Sequence, residues 1–381
     1  MESDVVVKPR DAMPVGASTL PAVYYTDAAF FGREMEALFA AMWICAGRVE
    51  QVEAPGQFIV REVMGESIII TSNAAGTVNA FYNVCRHRGT RLCEEAEGRF
   101  GGSIQCPYHA WTYDLDGTLI GAPHMDDAAH FARADHPLHR VHADVWDGHV
   151  FINLSRGTPP PLRDQLAGLP AKFASWRMQE LRLGHRTVYD VRANWKLIVQ
   201  NYNECLHCPN LHPALNKLSH YLSGENDPLQ PAYMGGRMDL RPGVNTLTMT
   251  GTCSRETLPG LSPEDARRVY YYAIFPNMLL SLHPDYMMVH TLWPQGPDRT
   301  INNCEWHFHP SAIAREGFDP SDAIEFWDLT NRQDWHVCEL SQAGISSRAY
   351  TPGPYSNRED LLYAFDRMIV KLHSEIVNSE L

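Results

Sequence analysis

Two cysteine–histidine pairs stand close together in this chain: Cys85-Arg-His87 and, after a glycine-containing loop, Cys106-Pro-Tyr-His109. A thiolate and an imidazole on each of two loops can hold a metal centre, because soft sulfur suits zinc and iron–sulfur clusters and imidazole suits either. Zinc ribbons repeat Cys-x-x-Cys. The mixed spacing here fits a [2Fe–2S] centre with two thiolates on one iron and two imidazoles on the other. A zinc site on the same four residues is the alternative.

About a hundred residues later comes Asn201-Tyr-Asn-Glu204-Cys-Leu-His207-Cys-Pro-Asn-Leu-His212-Pro213. On an unbroken helix two histidines five apart would lie about 140° apart and could not share a metal. Pro209 disrupts the helix between them, so His212 is expected to swing back toward His207. Glu204 and His207, three apart, share a helix face. Two imidazoles and one carboxylate form the facial set of non-haem Fe(II) sites, which leaves positions for O2 and substrate. The carboxylate is Glu204 or one from elsewhere. Cys205 and Cys208 have Cys-x-x-Cys spacing, but they alternate with Glu204 and His207, and Pro209 follows them. They read as buried thiols beside the metal rather than as ligands.

The elements that position these residues differ between the two stretches. Residues 1–22 read as a flexible leader ending at Thr19-Leu20-Pro21, and Thr26–Trp43 as a helix capped by Thr26. Short β-rich runs follow at Gln57–Glu62, Glu66–Ser72, Thr77–Val84, Thr112–Leu119 and Asp147–Leu154, with Asp116-Gly117 as a tight turn. Residues 43–155 are therefore expected to form one small antiparallel β-domain with the Cys-His loops at its tips. The prolines 159–161 mark a linker. Beyond it, Leu162–Trp176 reads as helix and Gly184–Ala193 as strand. Asn245–Cys253, Tyr270–Leu282, Tyr286–Trp293 and Thr300–His309 read as strands of a larger antiparallel sheet. Asp319, with Pro320 in the first helical position, opens a long helix running through Asp334 toward Ala343, and a last helix covers Glu359–Val377. The fold class is α+β: a leader and helix over 1–42, a small β-domain over 43–155, and a larger domain over 156–381.

The 381 residues allow two domains, each with its own core. A formal charge of −13 argues against nucleic acid or an anionic membrane as partner. No run approaches the roughly 18 apolar residues of a membrane span, and Met1–Arg10 lacks a signal-peptide core. Nine cysteines without framework spacing fit a reducing compartment, so a cytoplasmic protein is expected.

Arg88-Gly89, Pro107-Tyr108 and Ala110-Trp111 flank the first site as in Rieske loops, and nearly the whole chain resembles the oxygenase (alpha) component of Rieske non-haem iron oxygenases. The resemblance implies a helix-grip catalytic domain. It also implies a Rieske [2Fe–2S] cluster on Cys85, His87, Cys106 and His109, and a mononuclear Fe(II) on His207, His212 and a late-helix aspartate. Asp334 is the best match for that aspartate and Asp328 the competitor. Glu204 then corresponds to the acid that bridges to a cluster histidine of a neighbouring subunit. That acid is usually Asp; Glu is shared with the branch acting on quaternary ammonium compounds. An asparagine common four residues before it is Gln200 here, with Asn201 next, so no role transfers to either. The family's head-to-tail homotrimer pairs one chain's cluster with the next chain's iron. O2 is the co-substrate, and NAD(P)H serves only through a separate flavin/iron–sulfur reductase. Arg86, Arg88 and Arg91 beside the cluster are candidates to guide an acidic partner, with packing in the loop as the alternative role for Arg88.

The stretches around Asn201 and Asn331 are similar to those of carnitine and glycine betaine monooxygenases. A permanent cation is held well by aromatic faces, so Tyr202, Phe275, Tyr286, Trp293 and Trp335 are candidate pocket residues, with ordinary core packing as the competing role for each. Hydroxylation next to the ammonium would end in demethylation or C–N cleavage. The alternatives are an aromatic-ring-hydroxylating dioxygenase alpha subunit, a Rieske electron carrier, and a zinc-binding interaction module.

Overall fold

A computed structural model describes residues 13–380. The chain divides into two compact units, Phe39–Asp164 and a second built from the segment up to Leu38 together with Gln165–Leu381.

The first unit contains strands β1 (Ile44–Arg48), β2 (Gln57–Val63), β3 (Glu66–Ser72), β4 (Val78–Tyr82), β5 (Glu97–Arg99), β6 (Ser103–Gln105), β7 (Thr112–Asp114), β8 (Leu119–Gly121), β9 (Arg140–Trp146) and β10 (His149–Asn153). They form an antiparallel sheet ordered β1-β10-β9-β4-β3-β2-β5 and a small sheet β6-β7-β8. β3 lies inside the sheet, between β4 and β2, and its Ile68, Ile69 and Ile70 are fully buried, a β-branched run suited to burial on both faces. The expected Thr112–Leu119 strand is two strands, split by the Asp116-Gly117 turn. Asp114 Oδ1 accepts from the backbone of Asp116 and Thr118 at 2.9 and 2.8 Å. Gly117 is required there: its φ is +82°, and a Cβ would strike the Phe81 ring. β9, charged at Arg140 and Asp144, was not expected as a strand. It pairs with both β10 and β4.

The second unit holds β11 (Arg182–Val191), β12 (Glu225–Asn226), β13 (Tyr233–Asp239), β14 (Arg268–Ile274), β15 (Met278–Leu282), β16 (Tyr286–Gly296) and β17 (Arg299–Phe308), in the order β11-β17-β16-β15-β14-β13-β12. Cross-strand partners Gly236, Tyr271, Ser281, Met288 and Trp306 follow one another across the sheet. Partners directly opposite share a face, so these positions and those two residues along, Met238 and His290, present one surface. The 25-residue helix Ser321–Ile345 buries Phe326, Trp327, Thr330, Asn331, Trp335 and Cys338.

Several expectations are corrected. Residues 17–20 are not a free leader: Thr19 N–H donates to Gly353 O at 2.9 Å, Tyr355 N–H to Ala17 O at 3.2 Å, and Leu20 is buried. Residues 1–12 of that leader lie outside the described residues. The 26–43 helix is three pieces, Val23–Thr26, Ala28–Glu34 and a wider-wound turn over Met35–Ala40. Its cap is Asp27, whose Oδ1 accepts from Ala29 and Phe30 at 2.8 and 2.9 Å. Leu162–Trp176 breaks after Leu166, restarting at Leu169–Lys172 with Pro170 in its first turn. Asn245–Cys253 forms no strand. Tyr270–Leu282 is split by Phe275-Pro276-Asn277 into β14 and β15, which pair with each other. The long helix begins at Ser321 with Pro320, not Asp319, as its N-cap; Asp319 stands one position further out, where its Oδ1 accepts from Ser321 N at 2.9 Å.

Candidate functional site

The two Cys-His loops close in the same way. Cys85 N–H donates to Thr90 O and Gly89 N–H to Cys85 O, at 2.8 and 3.0 Å. Cys106 N–H donates to Trp111 O and Ala110 N–H to Cys106 O, at 2.8 and 3.1 Å. The fifth residue of each loop is left-handed, Gly89 at φ +74° and Ala110 at +56°. Both cysteines are buried, and the His87 and His109 rings lie 4.8 Å apart. Trp111 stacks on His87 at 4.8 Å, nearly parallel. Tyr113 Oη accepts the Arg86 N–H at 3.0 Å, which leaves its own proton to point at Cys85 Sγ, 3.4 Å away. Burial, His109 and Arg88 together lower the His87 pKa, keeping the imidazole neutral as a ligand must be. His87 Nδ1 is buried without a protein partner. An orphan nitrogen of this kind costs about 1–3 kcal/mol unless something binds it. Two buried thiols, two neighbouring imidazoles and that orphan atom fit an iron–sulfur group.

The second donor set lies in the larger unit. The Trp195–Tyr202 helix is capped by Asn194, whose side chain accepts from Lys196 N at 3.1 Å. The chain then turns through Glu204–Leu206 into a single helical turn, Cys208–Leu211. Pro209 sits inside this turn and does not break the helix between the histidines. The break lies at His212 (φ −124°, ψ 62°), which Pro213 forces out of helical geometry. His207, His212 and Asp334 bring one donor atom each within 4.8 Å of one another. His212 Nε2 is 2.7 Å and His207 Nε2 3.3 Å from Asp334 Oδ1. Three facial donors each about 2.1 Å from a metal stand about 3 Å apart, so the set fits a divalent ion. Asp328 faces away, accepting from Tyr189 Oη and Arg332 Nε, both at 2.8 Å.

Electrostatics hold the second set together. Burial disfavours a charged His207, but the Asp334 and Glu204 carboxylates outweigh it and lift its pKa to about 10. Burial raises Asp334, but His207 and His212 more than offset this and hold it below its usual value. Glu204 Oε1 accepts a hydrogen bond from His207 Nδ1 at 2.5 Å, and Oε2 accepts from the Leu206 N–H. Glu204 is thus a partner of His207 rather than a member of the three-donor set.

A cavity of about 770 Å³, its mouth included, opens at these donors. Of the five candidate aromatics, Tyr202 and Trp335 line it. The other three do not. Phe275 packs on Phe365 at 5.5 Å, Tyr286 gives its hydroxyl to Leu247 O at 2.7 Å, and Trp293 is buried elsewhere in the sheet. Tyr271, Trp327 and His290 were missed and do line it. Strand alternation could have found Tyr271 and His290 only with the β13–β16 register in hand. Arg237 also borders the cavity but lies one residue out of phase with Gly236 and Met238, and its guanidinium pairs with Asp239 at 2.6 Å and Glu225 at 3.5 Å.

A further correction concerns two side chains beside the second site. Cys205 and Cys208 are not free thiols: they form a disulfide, their Cα atoms 5.0 Å apart across the turn into the Cys208–Leu211 helix. Of the arginines beside the first site, Arg91 is paired with Glu62 and donates to Ser67 Oγ at 2.7 Å, and Arg86 donates to Pro137 O at 2.5 Å. Arg88 lies 5.4 Å from the Tyr108 ring centre.

A four-donor sulfur–imidazole set and a two-histidine, one-carboxylate set fit an iron-dependent oxidoreductase. A profile of the ring-hydroxylating alpha subunit catalytic domain matches residues 178–375, and one of the Rieske [2Fe–2S] domain matches 42–132. The glycine betaine monooxygenase oxygenase subunit of Chromohalobacter salexigens is 32% identical over 90% of this chain and 82% of its own length. The carnitine monooxygenase oxygenase subunit of Escherichia coli K12 is 32% identical over 89% and 87%. The crystal structure of the quaternary ammonium Rieske monooxygenase CntA with L-carnitine superposes with a TM-score of 0.78 at 26% identity, covering 95% of this chain and 99% of that one. The chain belongs to the Rieske non-haem iron oxygenases, as an oxygenase component whose Rieske domain precedes a ring-hydroxylating alpha subunit catalytic domain.

Proposed function

We propose that the small molecule hydroxylated by this oxygenase component is a quaternary ammonium or betaine compound, with demethylation or C–N cleavage as the net result. The observation that carries this is an arc of rings around the cavity. Trp327 and Tyr271 are 6.3 Å apart, Tyr271 and Tyr202 6.0 Å, Tyr202 and His290 6.3 Å, and His290 and Trp335 5.8 Å. Ring faces hold a cation within about 6 Å of their centres. Burial keeps His290 neutral, down at about 4, against the opposing pull of Asn302 and Asp334, so the arc carries no repelling charge. At the donor end Glu204 and Asp334 would offset the charge of the divalent ion, so the metal adds no net repulsion. Tyr202 is held in place by its hydroxyl on Leu280 O and Ser281 Oγ, both at 2.8 Å.

Cys85, His87, Cys106 and His109 would hold the [2Fe–2S] cluster, and His207, His212 and Asp334 an Fe(II) ion. When bound, these supply one-electron transfer and O2 activation. One O2, two electrons and two protons turn an N-methyl carbon into a hydroxymethyl group and release water. The hydroxylated product collapses to a tertiary amine, formaldehyde and a proton. The electrons come from NAD(P)H through a separate flavin/iron–sulfur reductase. In a head-to-tail homotrimer, Glu204 would link His207 of one chain to the cluster histidine His109 of the next, since its carboxylate already accepts the His207 Nδ1–H hydrogen bond. The expected setting is cytoplasmic. Among the described residues no helix is long and apolar enough to cross a membrane.

The test is a panel of glycine betaine, carnitine, choline and naphthalene with a surrogate reductase and NADH. Formaldehyde or another aldehyde formed in step with NADH use from a quaternary amine is expected. Coupled hydroxylation of naphthalene alone would overturn the substrate class.

A further inference from the structure

Both histidines of the mononuclear set are turned the same way, but they are backed by different chemistry. His207 gives its Nδ1 proton to the Glu204 carboxylate at 2.5 Å and aims Nε2 at Asp334. His212 has Nδ1 2.8 Å from Gln333 Oε1 and Nε2 2.7 Å from Asp334 Oδ1. Gln333 and Asp334 are consecutive on the Ser321–Ile345 helix, so one turn of helix holds both nitrogens of one ring. The His212 side chain is 1% exposed, and water does not compete for its Nδ1 proton.

We infer that Gln333 is a positioning residue for the mononuclear metal: its amide oxygen fixes the His212 tautomer that leaves the Nε2 lone pair free for the ion. The inference rests on the proposed ligand set His207, His212 and Asp334. An amide oxygen accepts only from a proton-bearing Nδ1, and a ligating imidazole so backed is a better and better-oriented donor. A neutral amide in place of a second carboxylate also leaves the site one negative charge smaller than a carboxylate-backed pair would. That keeps the set of Asp334, Glu204 and a divalent ion near neutrality.

The experiment measures Fe(II) affinity of the full, cluster-loaded chain by chelator competition, together with the visible spectrum of Co(II) in the same site. Gln333→Met, of similar length without an acceptor, is expected to weaken Fe(II) binding by about 10–100-fold and to change the Co(II) bands. Gln333→Glu keeps an acceptor and adds a negative charge, so it should hold both ions at least as tightly as the wild type. Wild-type affinity and Co(II) spectrum in Gln333→Met would overturn the inference, as would equal losses in both variants, which would mean packing rather than an acceptor matters. His212→Ala is the control on the underlying site. If it retains wild-type Fe(II) affinity, the ligand set itself fails. If it loses the ion while Gln333→Met does not, only the role of Gln333 falls.

Discussion

At the scale of single residues, the account turns on which carboxylate completes the mononuclear set. Asp334 shares an oxygen between two imidazoles, whereas Asp328 is occupied by Tyr189 and Arg332. Asp334→Ala should therefore lower iron from about three to about two atoms per chain while the visible cluster spectrum survives, as two separate sites require. Asp328→Ala should keep all three; the reverse pattern of iron content would exchange the assignment. The candidate cluster residues and the two histidines could be picked out because each pair sits within one short loop, where spacing alone constrains geometry. Asp334 lies more than a hundred residues away and could be reached only through family resemblance. Cys205 and Cys208 were misread because Cys-x-x-Cys spacing is the same whether the thiols are free or joined. Tyr271 and Trp327 were missed because a ring's direction depends on strand register and helix phase, which composition does not carry.

At the scale of elements, the Trp195–Tyr202 helix that leads into Glu204 is anchored by a fully buried ion pair. Lys196 Nζ lies 2.7 and 2.6 Å from the two Glu34 carboxylate oxygens, both side chains 0% exposed, and Trp195 and His373 also donate to Glu34. Lys196→Met would leave that carboxylate buried without its cation, at a cost of about 3–5 kcal/mol. The expected outcome is a clear drop in the denaturant midpoint, largely recovered when Glu34→Gln is added. An unchanged midpoint in the single variant would show that the pair anchors nothing. Most strands of both sheets were legible from their apolar runs. β13 was not, because Gly235-Gly236 reads as a turn. The structure needs those glycines: side chains there would strike the carbonyl oxygens of Tyr271 and Glu225 on the neighbouring strands. Conversely, Asn245–Cys253 has strand-like threonines, but its backbone closes on itself, Asn245 N–H donating to Gly251 O. Local preference was overridden there by the absence of a partner strand.

At the scale of the whole molecule, burial of neutral histidines makes stability depend on pH. His290 is held at about 4 by burial, below its ordinary 6.5, and His283 is shifted the same way. A depressed histidine contributes fully above pH 6.5. Its contribution is lost as pH falls toward 4, because the unfolded chain takes up a proton that the folded chain refuses. For His290 this is on the order of 3 kcal/mol. Urea unfolding between pH 7.5 and 5 should show a smaller loss of stability in His290→Leu than in the wild type; identical slopes would mean His290 is not buried neutral. The proposed trimer is addressed by Glu204→Gln. It should keep its metals and its oligomeric state yet pass electrons slowly, because a neutral amide holds the His207 proton less firmly than a charge-assisted carboxylate bond. Loss of mononuclear iron in that variant would instead make Glu204 a ligand.

The most direct test of the central claim is a single turnover without any reductase. The fully metallated chain, reduced chemically and freed of reductant, is mixed with O2 and glycine betaine, carnitine or choline in turn. Cluster oxidation is followed by absorbance, and aldehyde is counted after quenching. The account predicts that at least one of these cations accelerates cluster oxidation and yields aldehyde in proportion to the mononuclear iron present. If no quaternary amine speeds cluster oxidation or yields aldehyde, while an uncharged aromatic does both, the account is contradicted.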